Sequence, residues 1–139
     1  MIVAIHQPNY LPWLGYFHKI MIADTFISLD DVQYSKNSYT NRVQIYGGEH
    51  PKWMTIPINV HLGDPINTVH PAAPDWVRTH LDRLHTAYGN AGAFAETWDW
   101  IRNAFENVSD TDDLASVNRG LVEAVTDHLG LDCQFMTAY

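Results

Sequence analysis

Two polar clusters hold the side chains whose types suit chemistry. HQPNYLPW at residues 6–13 sets His6 beside Gln7, Asn9, Tyr10 and Trp13, and DDVQYSKNSYTNR at 30–42 holds Asp30, Asp31, Gln33, Lys36 and Arg42. An imidazole with an ordinary pKa of about 6.5 can take or give a proton near neutrality, or donate to a phosphate. The alternative for His6 is a strand-end histidine bonded to a backbone carbonyl. The carboxamides of Gln7, Asn9 and Gln33 can hydrogen-bond the edge of a ring that Tyr10, Trp13 or Tyr34 stacks against, while Lys36 and Arg42 can neutralise an anion. Asp30 and Asp31 are either turn formers or, through a bound nucleotide, metal ligands. No metal site follows from the spacing.

These groups can act together only if the backbone gathers them. Residues 2–5 are an apolar, β-branched run that suits a buried strand, and Leu14 to Ala23 has helical spacing, with Leu14, Phe17 and Ile20 along one side. Thr25 to Leu29 reads as a second strand. Strand, helix and strand make a βαβ unit with parallel pairing and a right-handed crossover. Both polar clusters then leave carboxyl ends of strands, which predicts one shared crevice, the usual ligand position in open α/β sheets. Pro8 and Pro12 stiffen the first cluster.

Further on, 42–46 and 53–60 are strand-like around the turn-rich Gly47 to Pro51, predicting a hairpin within about 41–60. The proline-rich 63–74 reads as a loop. Three helices follow: one along Trp76, Val77, Leu81, Leu84 and Tyr88, one along Phe94, Trp98, Ile101, Phe105 and Val108, and one along Leu114, Val117, Leu121, Val125 and Leu129. The third has Thr111 or Asp112 as its expected cap and Gly130 as its stop. Cys133 to Thr137 looks like a final strand. The expected fold is therefore α/β, an N-terminal βαβ unit with a small mixed sheet and three C-terminal helices, in one domain over 1–139 whose final strand either closes the sheet or leaves the chain shorter than the fold it derives from.

Composition narrows the function. The net charge is −8, and all of it lies beyond residue 60, since the first sixty residues carry four acids and four bases. Eight Lys and Arg in total argue against general nucleic-acid binding and leave the first half as the better host for an anionic small molecule. A single cysteine excludes an internal disulfide. No apolar run reaches the roughly 18 residues of a membrane span and no signal peptide is evident, so a cytoplasmic protein without membrane partners is expected. Oligomeric state and cofactor are left open. The eight histidines form no HExxH, and GxSxG, P-loop and GxGxxG motifs are absent. The nucleotidyltransferase signature loop would put histidines where Trp13 and Tyr16 stand, so adenylyl transfer loses its phosphate-activating groups.

HQPNYLPWLGYFHKI at 6–20, the LDDVQY and Lys36 of the second cluster, NRVQI at 41–45 and KWMTIPI at 52–58 together resemble the WbqC-like family. The resemblance covers most of the chain and is densest over 3–60. It implies an enzyme of surface-polysaccharide or related biosynthesis that transfers an acyl or aminoacyl group to an amino-sugar or nucleotide-linked substrate. Taken together with the two polar clusters, it leads to His6 and Asp30 as the expected catalytic residues, with Gln7, Asn9, Tyr10, Trp13, Gln33, Lys36 and Arg42 expected to contact the small-molecule substrate. A non-catalytic nucleotide- or sugar-nucleotide-binding module is the alternative.

Overall fold

A computed structural model describes residues 1–108 and 112–138. The predicted βαβ unit is present: β1 (Val3–His6), α1 (Leu14–Ile22) and β2 (Thr25–Ser28). β1 and β2 pair in parallel from Val3 opposite Thr25 to His6 opposite Ser28. The last strand, β7 (Gln134–Thr137), joins β2 in parallel on its other side, giving the order β1-β2-β7 and setting His6, Ser28 and Thr137 on one rung at the carboxyl ends.

β3 (Arg42–Ile45) and β4 (Lys52–Thr55) form the expected antiparallel hairpin. The run expected to continue to Val60 is broken, because Pro57 has no N–H to give a ladder. Ile58–Asn59 forms a separate short strand, β5, which pairs with β6 (His70–Pro71). The stretch read as a loop therefore contributes β6 and a 3-10 turn at Ile66–Thr68, whose Ile66 is fully buried.

The C-terminal helices are α2 (Trp76–Tyr88), α3 (Phe94–Asn107) and α4 (Leu114–His128). Of the two expected caps of α4, Thr111 lies outside the described residues, and Asp113 rather than Asp112 does the capping. Its carboxylate accepts from the Ser116 N–H at 2.9 Å and the Ser116 hydroxyl at 2.7 Å. Beyond the helix, Gly130 adopts φ +66 and the Leu131 N–H reaches back to the Thr126 carbonyl, the turn that glycine allows.

α4 serves two apolar cores. Leu114, Val117 and Leu121 enter the larger one with Tyr10, Met54, Ile56, Trp76 and Phe105. Val122 enters the smaller one with Tyr16, Phe17, Ile20 and Phe26 between α1 and the sheet. Leu14 was expected on the packed side of α1, yet it is 84% exposed, and Tyr16 takes the buried position. Gly15 is required there by close approach: a Cβ at this position would lie 2.0 Å from the Trp13 ring, which folds back over the helix start.

Candidate functional site

The second polar cluster lines a cleft of about 1010 Å³, with Gln33, Tyr34, Lys36, Asn37, Asn41 and Arg42 along one wall and Thr55, Ile56, Pro57 and Ile58 from the hairpin and β5 along another. Local bonds hold these side chains. The Tyr34 hydroxyl donates to Asn41 Oδ1 at 2.9 Å, and Asn41 Nδ2 donates to the Ile56 carbonyl at 3.0 Å, so Asn41 joins the two walls. Arg42 stacks its guanidinium 4.0 Å above the Trp53 ring and gives Nη2 to the Asn37 carbonyl at 2.7 Å. Its Nε is buried and has no hydrogen-bond partner among the described residues. Asn37 reaches this arrangement through a left-handed backbone, φ +61, which asparagine tolerates better than most residues. The result is an open, polar cleft with an exposed ammonium from Lys36 and an aliphatic floor, suited to an anionic small molecule.

The first cluster divides between strand end and core. His6 Nδ1 lies 2.8 Å from the Gln7 carbonyl, and the Tyr16 hydroxyl donates to the same oxygen at 3.1 Å. A carbonyl only accepts, so Nδ1 carries the proton and Nε2 keeps its lone pair. That contact is the strand-end alternative to the acid–base reading of His6, and in the neutral imidazole it leaves the lone pair on Nε2. Tyr10 was expected to face the ligand, but it is 0% exposed and packs against Trp76 and Phe105. Its hydroxyl bonds His80 Nδ1 at 2.6 Å, while His80 Nε2 donates to the Thr55 carbonyl at 3.0 Å. Burial holds the Tyr10 phenol well above its ordinary pKa and pushes His80 down to about 4. Both side chains serve the core. Asn9, the buried Tyr10 and Trp13 line a hollow of about 340 Å³ with Tyr39 and Val43, and Trp13 is 73% exposed.

Asp30 is 0% exposed. The Ser28 hydroxyl donates to its Oδ1, and Arg119 Nη1 from α4 meets Oδ2 at 2.6 Å. Burial raises the carboxyl from its ordinary pKa, with the Ser28 bond and the Arg119 charge pulling back. At that distance from a guanidinium we treat the group as a carboxylate. Next to Arg119, Asn118 is fully buried and donates from Nδ2 to the Thr40 carbonyl at 2.7 Å and the Pro8 carbonyl at 3.3 Å. One turn of α4 therefore fastens both polar clusters.

The single crevice expected from the sequence is replaced by a division. Gln33, Lys36 and Arg42 share the large cleft, Asn9 and Trp13 share the small hollow, and His6, Gln7 and Asp30 sit at the strand ends outside the lining of both. The reason lies in Asp30, whose side chain turns inward to Arg119 and whose carbonyl accepts from the Asn67 N–H at 3.0 Å, sending the following chain toward the 3-10 turn. Sequence reasoning missed Asn118 and Arg119 and gave His80 no partner in the core. The available signal was a polar pair inside the apolar spacing of α4, and a histidine four residues after Trp76 on the packed side of α2. Among the described residues no three His, Cys, Asp or Glu side chains gather to hold a metal ion, and no helix is long and apolar enough to cross a membrane.

Comparison with known proteins adds family and length. The sequence model of the WbqC-like protein family matches residues 7–139. Over 139 residues the chain is 34% identical to "Uncharacterized protein Rv1507c" of Mycobacterium tuberculosis, a match that covers 99% of this chain and 60% of that one. The chain thus spans about three fifths of the length of that relative. No solved structure matches.

Proposed function

Since the chain belongs to the WbqC-like protein family, we propose that it is a small-molecule transferase that binds an anionic amino-sugar or nucleotide-linked substrate in the cleft of Gln33, Lys36 and Arg42. The observation that carries this reading is the composition of the cleft: a free-standing ammonium and a braced guanidinium beside carboxamides and the Tyr34 ring, above an aliphatic floor. Phosphate oxygens suit the cations, and a sugar or base suits the ring and the floor. His6 is the proposed base, because its Nε2 lone pair is unspent. In this scheme an amine or hydroxyl nucleophile gives its proton to Nε2 as it bonds to the acyl carbon, and the proton passes to the leaving group as the old bond breaks. Asp30 is read as a positioning residue rather than a proton carrier, since both its oxygens are engaged by Ser28 and Arg119.

A second reading has a specific observation behind it. His6 does not line the large cleft, which favours a binding or accessory module that holds the same class of ligand without transferring a group. A thermal-shift panel of nucleoside diphosphates, sugar nucleotides, acyl thioesters and amino acids tests both. A ligand at a hundred times its Kd adds about 2.7 kcal/mol of stability. A shift that disappears in Lys36→Ala supports the cleft, and turnover of the registering ligand that is lost in His6→Ala, with Tm unchanged, supports transfer. No shift from any nucleotide-linked or anionic compound would remove both readings.

A further inference from the structure

The hollow beside Trp13 is held by contacts that come from distant parts of the chain. Asn118 Nδ2 donates to the carbonyls of Pro8 and Thr40, which stand one residue before Asn9 and one after Tyr39. Between these points the Tyr10 N–H donates to the Tyr39 carbonyl at 2.9 Å, while the Tyr10 ring is anchored in the core. The two walls are therefore tied together. Leu11, in the lining, has φ +43, a left-handed backbone that is costly for leucine and of the kind that gathers at ligand sites. Trp13 carries the exposed surface. Its six-membered ring lies so close to Gly15 that a Cβ there would collide with it, yet the side chain is 73% exposed. One face of the indole is thus pinned to the start of α1 and the other is presented to solvent. An aromatic surface fixed in this way is a stacking platform whose ordering is complete before any ligand arrives.

We infer that this hollow receives the nucleobase of a nucleotide-linked substrate whose phosphates lie at Lys36 and Arg42, an inference that rests on the reading of the cleft given above and extends it. Size selects a base first. The hollow is about 340 Å³, near the lower end of the roughly 300 to 1000 Å³ of small-molecule sites, which is room for one ring system and not for a whole nucleotide. Chemistry selects it next. The lining is almost entirely apolar, with Leu11, Pro12 and Val43 beside the Trp13 and Tyr39 rings and Asn9 as its one side-chain amide. A sugar ring carries a hydroxyl on nearly every carbon and would leave most of them without partners there, whereas a base asks for an aromatic face and a donor and acceptor along one edge. Distance agrees. The Tyr39 ring stands 5.9 Å from the Trp53 ring, and the Arg42 guanidinium lies 4.0 Å from that same ring, so one row of stacked groups leads from the hollow to the cleft. The length of that row is comparable to the reach from a base across its ribose to a diphosphate. The Tyr34 ring and aliphatic floor of the cleft are left for the sugar.

The test measures binding of UDP, GDP, CDP and ADP by calorimetry, beside inorganic pyrophosphate, the free nucleosides and a methyl glycoside. At least one nucleoside diphosphate should bind about tenfold or more tighter than pyrophosphate, because base and phosphates are joined in one molecule. Trp13→Ala should weaken that nucleotide by about tenfold and leave pyrophosphate within about twofold, while Trp13→Phe keeps most of the affinity. Gly15→Ala displaces the indole without removing it and should behave as Trp13→Ala does. Tyr39→Ala, at the second ring, should follow the same pattern and serves if a Trp13 variant does not fold. Lys36→Ala should weaken nucleotide and pyrophosphate alike. Equal loss of both probes in Trp13→Ala would mark the ring as structural and overturn the inference. So would nucleotide binding indifferent to Trp13 and Tyr39, or a methyl glycoside that competes for the platform where no nucleoside does. Each of those results leaves the anionic cleft standing. Failure of pyrophosphate and of every nucleotide to bind would remove the cleft reading, and this inference with it.

Discussion

The Tyr10 hydroxyl and His80 Nδ1 meet at 2.6 Å inside the larger core, seventy residues apart in sequence. His80 is held neutral mainly by burial, with its pKa near 4 in the folded protein against an ordinary value of about 6.5. The group is thus depressed on folding. Its contribution is complete above about pH 6.5, where the imidazole is neutral in both states, and falls as pH drops toward 4, because the unfolded chain takes up the proton first. Urea denaturation between pH 7.5 and 4 should show a loss on the order of 3 kcal/mol from this group, and His80→Gln should flatten that part of the profile. Tyr10→Phe should cost about 1 to 2 kcal/mol at pH 7 by leaving Nδ1 without its donor.

Removing Arg119 isolates a fully buried carboxylate. Arg119→Met is expected to destabilise by about 3 kcal/mol, and the double change Arg119→Met with Asp30→Asn to cost less than the sum of the two single changes. A double-mutant cycle read by chemical denaturation checks this. Additive losses would mean that the two groups do not interact in solution.

Asn118 donates to Pro8 in the first cluster and to Thr40 in the second. Asn118→Ala should cost about 2 kcal/mol by leaving two buried carbonyls without a donor. Hydrogen exchange should rise in residues 7–12 and 38–41 before it rises in β3 and β4, because the loops lose their common anchor while the hairpin keeps its ladder.

Arg42 has geometry that lysine cannot copy. Its planar guanidinium stacks on Trp53 and bonds the Asn37 carbonyl at once. Arg42→Lys should lower stability by about 1 kcal/mol and abolish any ligand-induced thermal shift, whereas Lys36→Ala should abolish the shift with the ligand-free Tm unchanged. Differential scanning fluorimetry separates these two patterns.

Local chemistry made much of this protein legible in its residues alone. Period and punctuation located β1, α1, β2, the hairpin and the three C-terminal helices, because an apolar face must repeat every second residue in a strand and every third or fourth in a helix. The same reading grouped Gln33, Lys36 and Arg42, which come from one continuous segment and line one cleft. It broke down where the outcome depended on distant partners. Pro57 divides a strand because β5 has β6 to pair with. Tyr10 turns into the core because His80 and Trp76 await it there, and Asp30 turns inward because Arg119 arrives from 89 residues away. A buried polar group goes where its hydrogen-bond partner is, and for these residues the partner is brought near only when α2 and α4 pack. Sequence pattern decided which side chains are capable of binding and proton transfer; tertiary packing decided that they do not all share one hollow.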